Sequence, residues 1–203
     1  MFKSKQGRCF LVAVEGADML GKATQTALLE ENLNKVTKAI TVEVPWKDEA
    51  TYAQIYKMLR DGTAVSEPVV FQTIQACNRR IMQTTYLPNL SAHFDVVILD
   101  RWTPSTWVYG TVAGIPVEQN KVILDGLVEP DVTLVLDGEP FEPESASDVY
   151  EKDRTFQRAV RAEYRRYAES HPETTAIFDA HQDRKVLARQ LSEFTKRKLA
   201  ALE

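Results

Sequence analysis

The run Gly16-Ala17-Asp18-Met19-Leu20-Gly21-Lys22 gathers residue types that handle phosphate. Two glycines separated by four residues let backbone N–H groups turn inward around phosphate oxygens, and a lysine straight after the second can reach the terminal phosphates. An apolar run, residues 9–14, stands before this stretch and a helix-like segment, residues 23–30, follows it. Strand, glycine loop and helix in that order form the setting that a phosphate-cradling loop requires. One position departs from the pattern. Where a Ser or Thr would ligate magnesium after Lys22, the chain has Ala23.

A loop of this kind works only if a sheet and a helix hold it. Short β-branched or apolar stretches at residues 8–14, 39–44, 95–99, 132–136 and 175–178 read as strands. Between them, helical patterns run over 24–35, 50–60, 68–87, 116–128, 154–169 and 184–202. Alternation of this kind predicts an α/β fold in one domain over residues 1–203: a parallel sheet of roughly five strands flanked by helices. In such sheets ligands bind beyond the carboxyl ends of the strands. Candidate residues stand there: Pro45-Trp46-Lys47 after the second strand, then Asp100-Arg101-Trp102 with Ser105 and Tyr109 after the third. A Pro- and Glu-rich segment follows the fourth strand, and its prolines exclude a regular helix, so residues 138–153 read as a short lid.

Composition narrows the classes of function. With 203 residues, 44% hydrophobic and 27% charged, the chain can bury a sizeable core. A net charge of −4 argues against a broad basic surface for a nucleic-acid polymer, so an anionic ligand has to be met by locally placed Lys and Arg. Two cysteines, Cys9 and Cys77, read as bystander thiols, and His93, His171 and His181 lack metal-ligand spacing. No long apolar segment suggests a signal or membrane anchor, and the cytoplasm is the expected compartment.

Read together, several pieces resemble the thymidylate kinases: residues 10–25 around the glycine loop, residues 98–109 around Asp100 and Arg101, Pro130 to Asp137, and Tyr150-Glu151. They run collinearly over nearly the whole chain and look closest to eukaryotic-like and viral members. The resemblance implies a three-layer P-loop NTPase fold, ATP as phosphate donor, magnesium, and a pyrimidine deoxynucleoside monophosphate as acceptor. It also implies roles. Gly16, Ala17, Met19, Leu20, Gly21, Lys22, Ala23 and Thr24 would hold ATP phosphates, with Ala180 on the adenine side. Asp18 would hold the sugar 3′-hydroxyl, Arg101 and Lys47 the acceptor phosphate, and Asp100 would stand near magnesium. Arg79, or its neighbour Arg80, would read the pyrimidine edge, Tyr109 would pack against the deoxyribose, and Ser105 would be among the substrate-binding residues. Tyr150 and Glu151 would close over the sugar. Small nucleotides are then the partners, and a homodimer through residues 68–87 and 116–128 is implied, although a core face predicts the same pattern.

Against the family pattern, Met19 stands where many members carry a P-loop arginine, and the lid offers no arginine in its place. Lys152, Arg154 and Arg158 are the available cations. The aromatic that stacks on thymine is replaced by Gln75, with Phe71 one turn earlier on the same helix face. A glutamine suits a polar 5-substituent, such as that of 5-hydroxymethyl-dUMP, better than an apolar ring does. Two other readings stand beside the kinase of monophosphates: a deoxynucleoside kinase, and an impaired relative that binds nucleotides without turnover.

Overall fold

The structure, a computed structural model, describes residues 8–141 and 148–201. Residues 142–147 of the expected lid, and the last residue of the expected final helix, lie outside the described residues. In chain order the elements are β1 (Phe10–Gly16), α1 (Lys22–Leu33), β2 (Ala39–Glu43), α2 (Thr51–Asp61), α3 (Thr63–Ser66), α4 (Pro68–Thr85) and α5 (Leu87–His93). Then follow β3 (Val96–Asp100), α6 (Thr103–Val112), α7 (Val117–Leu124), β4 (Val132–Asp137), α8 (Val149–Lys152), α9 (Arg154–Ser170), β5 (Thr175–Asp179) and α10 (Arg184–Ala200). The five strands form one parallel sheet in the order β2-β3-β1-β4-β5.

Every residue of β1 is buried, as a strand covered on both faces demands. Its alternate residues feed two cores. Phe10, Val12 and Val14 join Leu29 and Leu33 of α1 and Leu191 of α10, while Leu11 and Ala13 join Met82 of α4 and Leu90 of α5. Register then aligns the strand ends that matter: Val14 lies opposite Asp100, and Gly16 opposite Leu136. Among the described residues no helix is long and apolar enough to cross a membrane.

Expectation and structure differ at several ends. β1 runs on through Glu15 and Gly16, because both still pair with β4. The expected helix over 68–87 stops at Thr85, and a separate helix, α5, begins at Leu87. Pro88 explains the break: its ring disfavours helical geometry for the preceding residue, and it is tolerated only in a helix's first turn. Segment 103–112 forms α6, which periodicity did not suggest, since five β-branched residues and Gly110 make it a weak helix former. Burial supplies what propensity lacks: α6 packs on α9 and α7.

The end of β1 depends on one glycine. Gly16 has φ +137, and a Cβ there would stand 2.4 Å from the Leu136 carbonyl oxygen. Gly114 also has positive φ, +81, but opens onto free space. Gly16→Ala is expected to cost about 3 kcal/mol or more in urea unfolding, against about 1 kcal/mol for Gly114→Ala. Equal losses would contradict this account of the β1–β4 approach.

Candidate active site

The site is rooted in a buried carboxylate. Glu15, fully buried near the end of β1, accepts hydrogen bonds from the Trp102 backbone N–H (2.7 Å), the Ser105 hydroxyl (2.6 Å) and the Tyr164 hydroxyl (2.7 Å). One side chain thus ties β1 to the β3–α6 turn and to α9. In that turn Arg101 adopts φ +71, which turns its guanidinium back over the loop. Arg101 Nη1 donates to the Gly16 carbonyl (3.1 Å) and the Ser105 hydroxyl (3.2 Å), and Nη2 forms an ion pair with Asp18.

Asp18 is engaged from several sides. Besides Arg101, its carboxylate accepts from the Tyr109 hydroxyl (2.9 Å) and from Gln157 Nε2 (2.8 Å), while its backbone N–H donates to Gln157 Oε1 (2.8 Å). Burial alone would push the Asp18 carboxyl up. The charges of Arg101 and Lys22, with the Gln157 and Tyr109 donors, overcome burial and hold it below the usual carboxylate value. Burial keeps the Tyr109 phenol protonated, so it remains a donor.

Lys22 opens α1, directly after Gly21 (φ +75). No side chain caps this helix and no acid stands in its first turn, so its leading N–H groups face an anion site. The Lys22 ammonium bends back to the Ala17 carbonyl (2.7 Å). Burial first, then the neighbouring Arg101 charge, push its pKa down to about 8, against the opposing pull of Asp18 and Asp100.

Beside this loop lies a hollow of about 340 Å³. The structure brings to it Asp18, Phe71, Gln75, Arg79, Arg101, Ser105, Tyr109, Tyr150 and Glu151, all expected from the sequence. Arg79, almost wholly buried, donates to Gln75 Oε1 (3.2 Å), and its Nε has no partner among the described residues. Desolvation pulls its pKa down to about 10. Tyr150 packs edge-on against Phe71 and Tyr109 and anchors its hydroxyl on the Ala64 carbonyl (2.9 Å). Arg80 turns away, donating to the Asp125 carbonyl.

A second hollow, about 480 Å³, lies on the other side of the loop between Met19, Phe141 and the start of α9. Neighbouring residues of one loop, Asp18 and Met19, therefore face different hollows. The expected adenine-side residue, Ala180, is buried beyond β5, its N–H donated to the Asp137 carbonyl (2.8 Å). Next to it His181 stacks edge-on with Phe141. Thr24 is exposed on α1.

Lys47 is not brought to the hollow of Asp18 and Arg101. It is exposed and lines a third hollow with Ala23, Glu43 and Asp100. The cause is local: Asn78 bonds both the N–H and the carbonyl of Trp46, whose ring stacks on Tyr86 at 5.1 Å. Pro45 is thereby left against the acceptor-side hollow and Lys47 beyond it. Asp100, half-buried at the end of β3, has a carboxyl pushed up by burial and makes no side-chain hydrogen bond among the described residues.

Sequence reasoning assigned no role to Glu15, Gln72, Gln157 or Tyr164. The signal for two of them lies on α9, whose buried stripe runs Gln157, Val160, Tyr164, Tyr167. A glutamine and a tyrosine at core spacing need polar partners inside, and here those partners are Asp18 and Glu15.

Comparison with known proteins shows the family to which the chain belongs. A family model described as thymidylate kinase matches residues 14–191. A thymidylate kinase of Caldanaerobacter subterraneus is 28% identical over 91% of this chain and 96% of its own. One from Burkholderia cenocepacia is 30% identical over 94% of this chain and 97% of its own. Among solved structures, the thymidylate kinase of Candida albicans superposes with a TM-score of 0.77 at 21% identity, covering 95% of this chain and 94% of that one.

The electrostatics predict a signed response at Lys22. In a 13Cε titration of the ligand-free protein, the Lys22 midpoint is expected near 8. Arg101→Met, removing a like charge, should raise it; Asp18→Asn, removing an opposite charge, should lower it. Movement in the opposite sense in either variant would contradict the assignment.

Proposed function

The chain belongs to the thymidylate kinase family, phosphotransferases that act on dTMP with ATP, and we propose that its two principal hollows hold those nucleotides on either side of the Asp18–Met19 step. The observation that carries this reading is the division of one glycine loop between two hollows, with Lys22 and Arg101 at the division. Lys22 now rests on the Ala17 carbonyl, and Arg101, besides its pair with Asp18, on the Gly16 carbonyl, neutral acceptors that phosphate oxygens outcompete.

Each residue then has a task. Phe71 and the Gln75–Arg79 pair receive the pyrimidine, and Arg79 Nε, without a partner among the described residues, offers a donor to its edge. Tyr109 stands against the sugar, where its ring disfavours a 2′-hydroxyl, and Asp18 takes the 3′-hydroxyl. Arg101 meets the 5′-phosphate. Lys22 leaves the Ala17 carbonyl for the β- and γ-phosphates, and the α1 N–H groups receive the rest of their charge. A 5′-phosphate oxygen forms the new bond to the γ-phosphorus as the bond to the ADP oxygen breaks. The protein's contribution is alignment and charge neutralisation. Lys47, on the far side of Trp46, is left outside the acceptor site in this reading.

Magnesium fits the donor set sparingly. Among the described residues no group of three or more His, Cys, Asp or Glu is placed to hold a metal, and Ala23 offers nothing. Asp100, a half-buried carboxylate without a side-chain hydrogen bond among the described residues, is the residue that would hold the ion, directly or through water. One carboxylate plus phosphates and waters is ordinary magnesium coordination. When bound, the ion would neutralise charge on the β- and γ-phosphates.

The base pocket supports a finer proposal. Gln72 and Gln75 both line it, and Gln72 is 3% exposed, so a 5-hydroxymethyl group would find amide partners where an apolar ring offers none. Exposed Val70 on α4 and Val117 and Val122 on α7 support the homodimer reading.

A coupled assay tests these points. dTMP is expected to be phosphorylated with ATP, thymidine is not, and Lys22→Met or Arg101→Met should cut kcat/KM on the order of a hundredfold or more. Phosphorylation of thymidine instead would favour a nucleoside kinase; binding without turnover of any monophosphate would favour an impaired relative. Initial rates on dTMP, dUMP and 5-hydroxymethyl-dUMP read the pocket. Equal rates on all three would remove any specificity role for Gln75.

A further inference from the structure

Phosphoryl transfer spreads negative charge over the equatorial oxygens of the moving group, and positive charge must meet it from the side of the donor as well as the acceptor. On the acceptor side Arg101 serves, and Lys22 reaches the donor's β- and γ-phosphates from the head of α1. On the donor side the glycine loop contributes Met19, a thioether without charge or hydrogen-bond donor. The cations facing the hollow there are Lys152, Arg154, Arg158 and Arg161.

These four are not equivalent. Arg154, Arg158, Arg161 and Arg165 recur at helical spacing along one face of α9. Arg161 and Arg165 are both tied to Asp137 at the end of β4, at 2.7 and 2.6 Å, and Arg161 also pairs with Glu139. Their charge is spent on holding the helix to the sheet. The side chains of Lys152, Arg154 and Arg158 make no ion pair or hydrogen bond among the described residues. Two of the neighbouring acids are committed elsewhere. Asp153 is occupied in capping α9, accepting from the Thr155 and Phe156 N–H groups, and Glu139 is engaged by Arg161.

Position separates the three unpaired cations. Arg154 is the first residue of α9, where the helix's own partial positive charge opposes it, and Lys152 lacks the planar fork that grips two phosphate oxygens. Arg158 is different. It follows Gln157, whose amide clasps both the N–H and the carboxylate of Asp18, and it precedes Arg161 by one turn. Its backbone is therefore fixed relative to the glycine loop on both sides, while its side chain is exposed and uncommitted.

We propose that Arg158 is a catalytic residue, delivered from α9 rather than from the glycine loop or the lid, whose guanidinium bridges oxygens of the transferring phosphoryl group above Met19. This rests on the kinase reading given above. It makes α9 a single device: Gln157 sets the position of Asp18 for the acceptor, and Arg158, the next residue, supplies charge to the donor.

The test is kinetic, with ATP and saturating dTMP. Arg158→Ala removes an exposed, unbonded side chain, so the melting temperature should not change. Its kcat is expected to fall at least on the order of a hundredfold. The KM for dTMP should stay within about threefold of wild type, because uniform substrate binding is not what is lost. Millimolar guanidinium should restore part of the rate, and Arg154→Ala should lose far less. A kcat within threefold of wild type, a loss confined to KM for dTMP, or a loss that guanidinium leaves untouched overturns the proposal while leaving the kinase reading intact. A wild-type protein that phosphorylates no monophosphate overturns both.

Discussion

The ion pair between Arg101 and Asp18 is the contact on which the rest of the site depends. It joins two turns, one after β1 and one after β3, that have no covalent reason to meet. Glu15 makes the meeting possible by fixing the Trp102 N–H, Ser105 and Tyr164 from the floor of the site. Tyr109 and Gln157 then complete the coordination of Asp18. Every member is satisfied by another, which is the condition under which a buried polar network orders a structure instead of weakening it.

A second consequence is electrostatic. The site concentrates Lys22, Arg79 and Arg101 in a volume with few counter-charges, and the strain shows as a Lys22 pKa drawn down to about 8 and an Arg79 pKa drawn down to about 10. Without ligand these cations lean on carbonyls, an amide and Asp18. Phosphate-bearing ligands offer them better partners, so charge arranged at a cost during folding is returned on binding. The same reasoning explains why the surface as a whole can be acidic, with net charge −4, while its ligands are anions.

Much of this was readable before any coordinates. Glycine spacing, the lysine at the head of α1 and the apolar run of β1 specify their own geometry, because each is a local rule. All five strands were found near their true limits for the same reason. What escaped reading was set by distant contacts. α6 owes its helix to burial against α9, not to the propensity of its residues. Lys47 stood at a promising place in the chain, yet the Asn78 clasp on Trp46 and the Trp46–Tyr86 stack turn it toward Asp100. Gln157 lies more than a hundred residues from Asp18, and only the fold makes them neighbours.

The central claim is that Asp18 and Arg101 act as one unit in receiving the acceptor nucleotide. A double-mutant cycle read by calorimetric dTMP affinity addresses it directly, using wild type, Asp18→Asn, Arg101→Met and the double variant. A coupled pair predicts losses that fail to add, with a coupling free energy of about 1 kcal/mol or more. Losses additive to within about 0.5 kcal/mol would mean that the two residues bind the nucleotide independently, and would contradict the account.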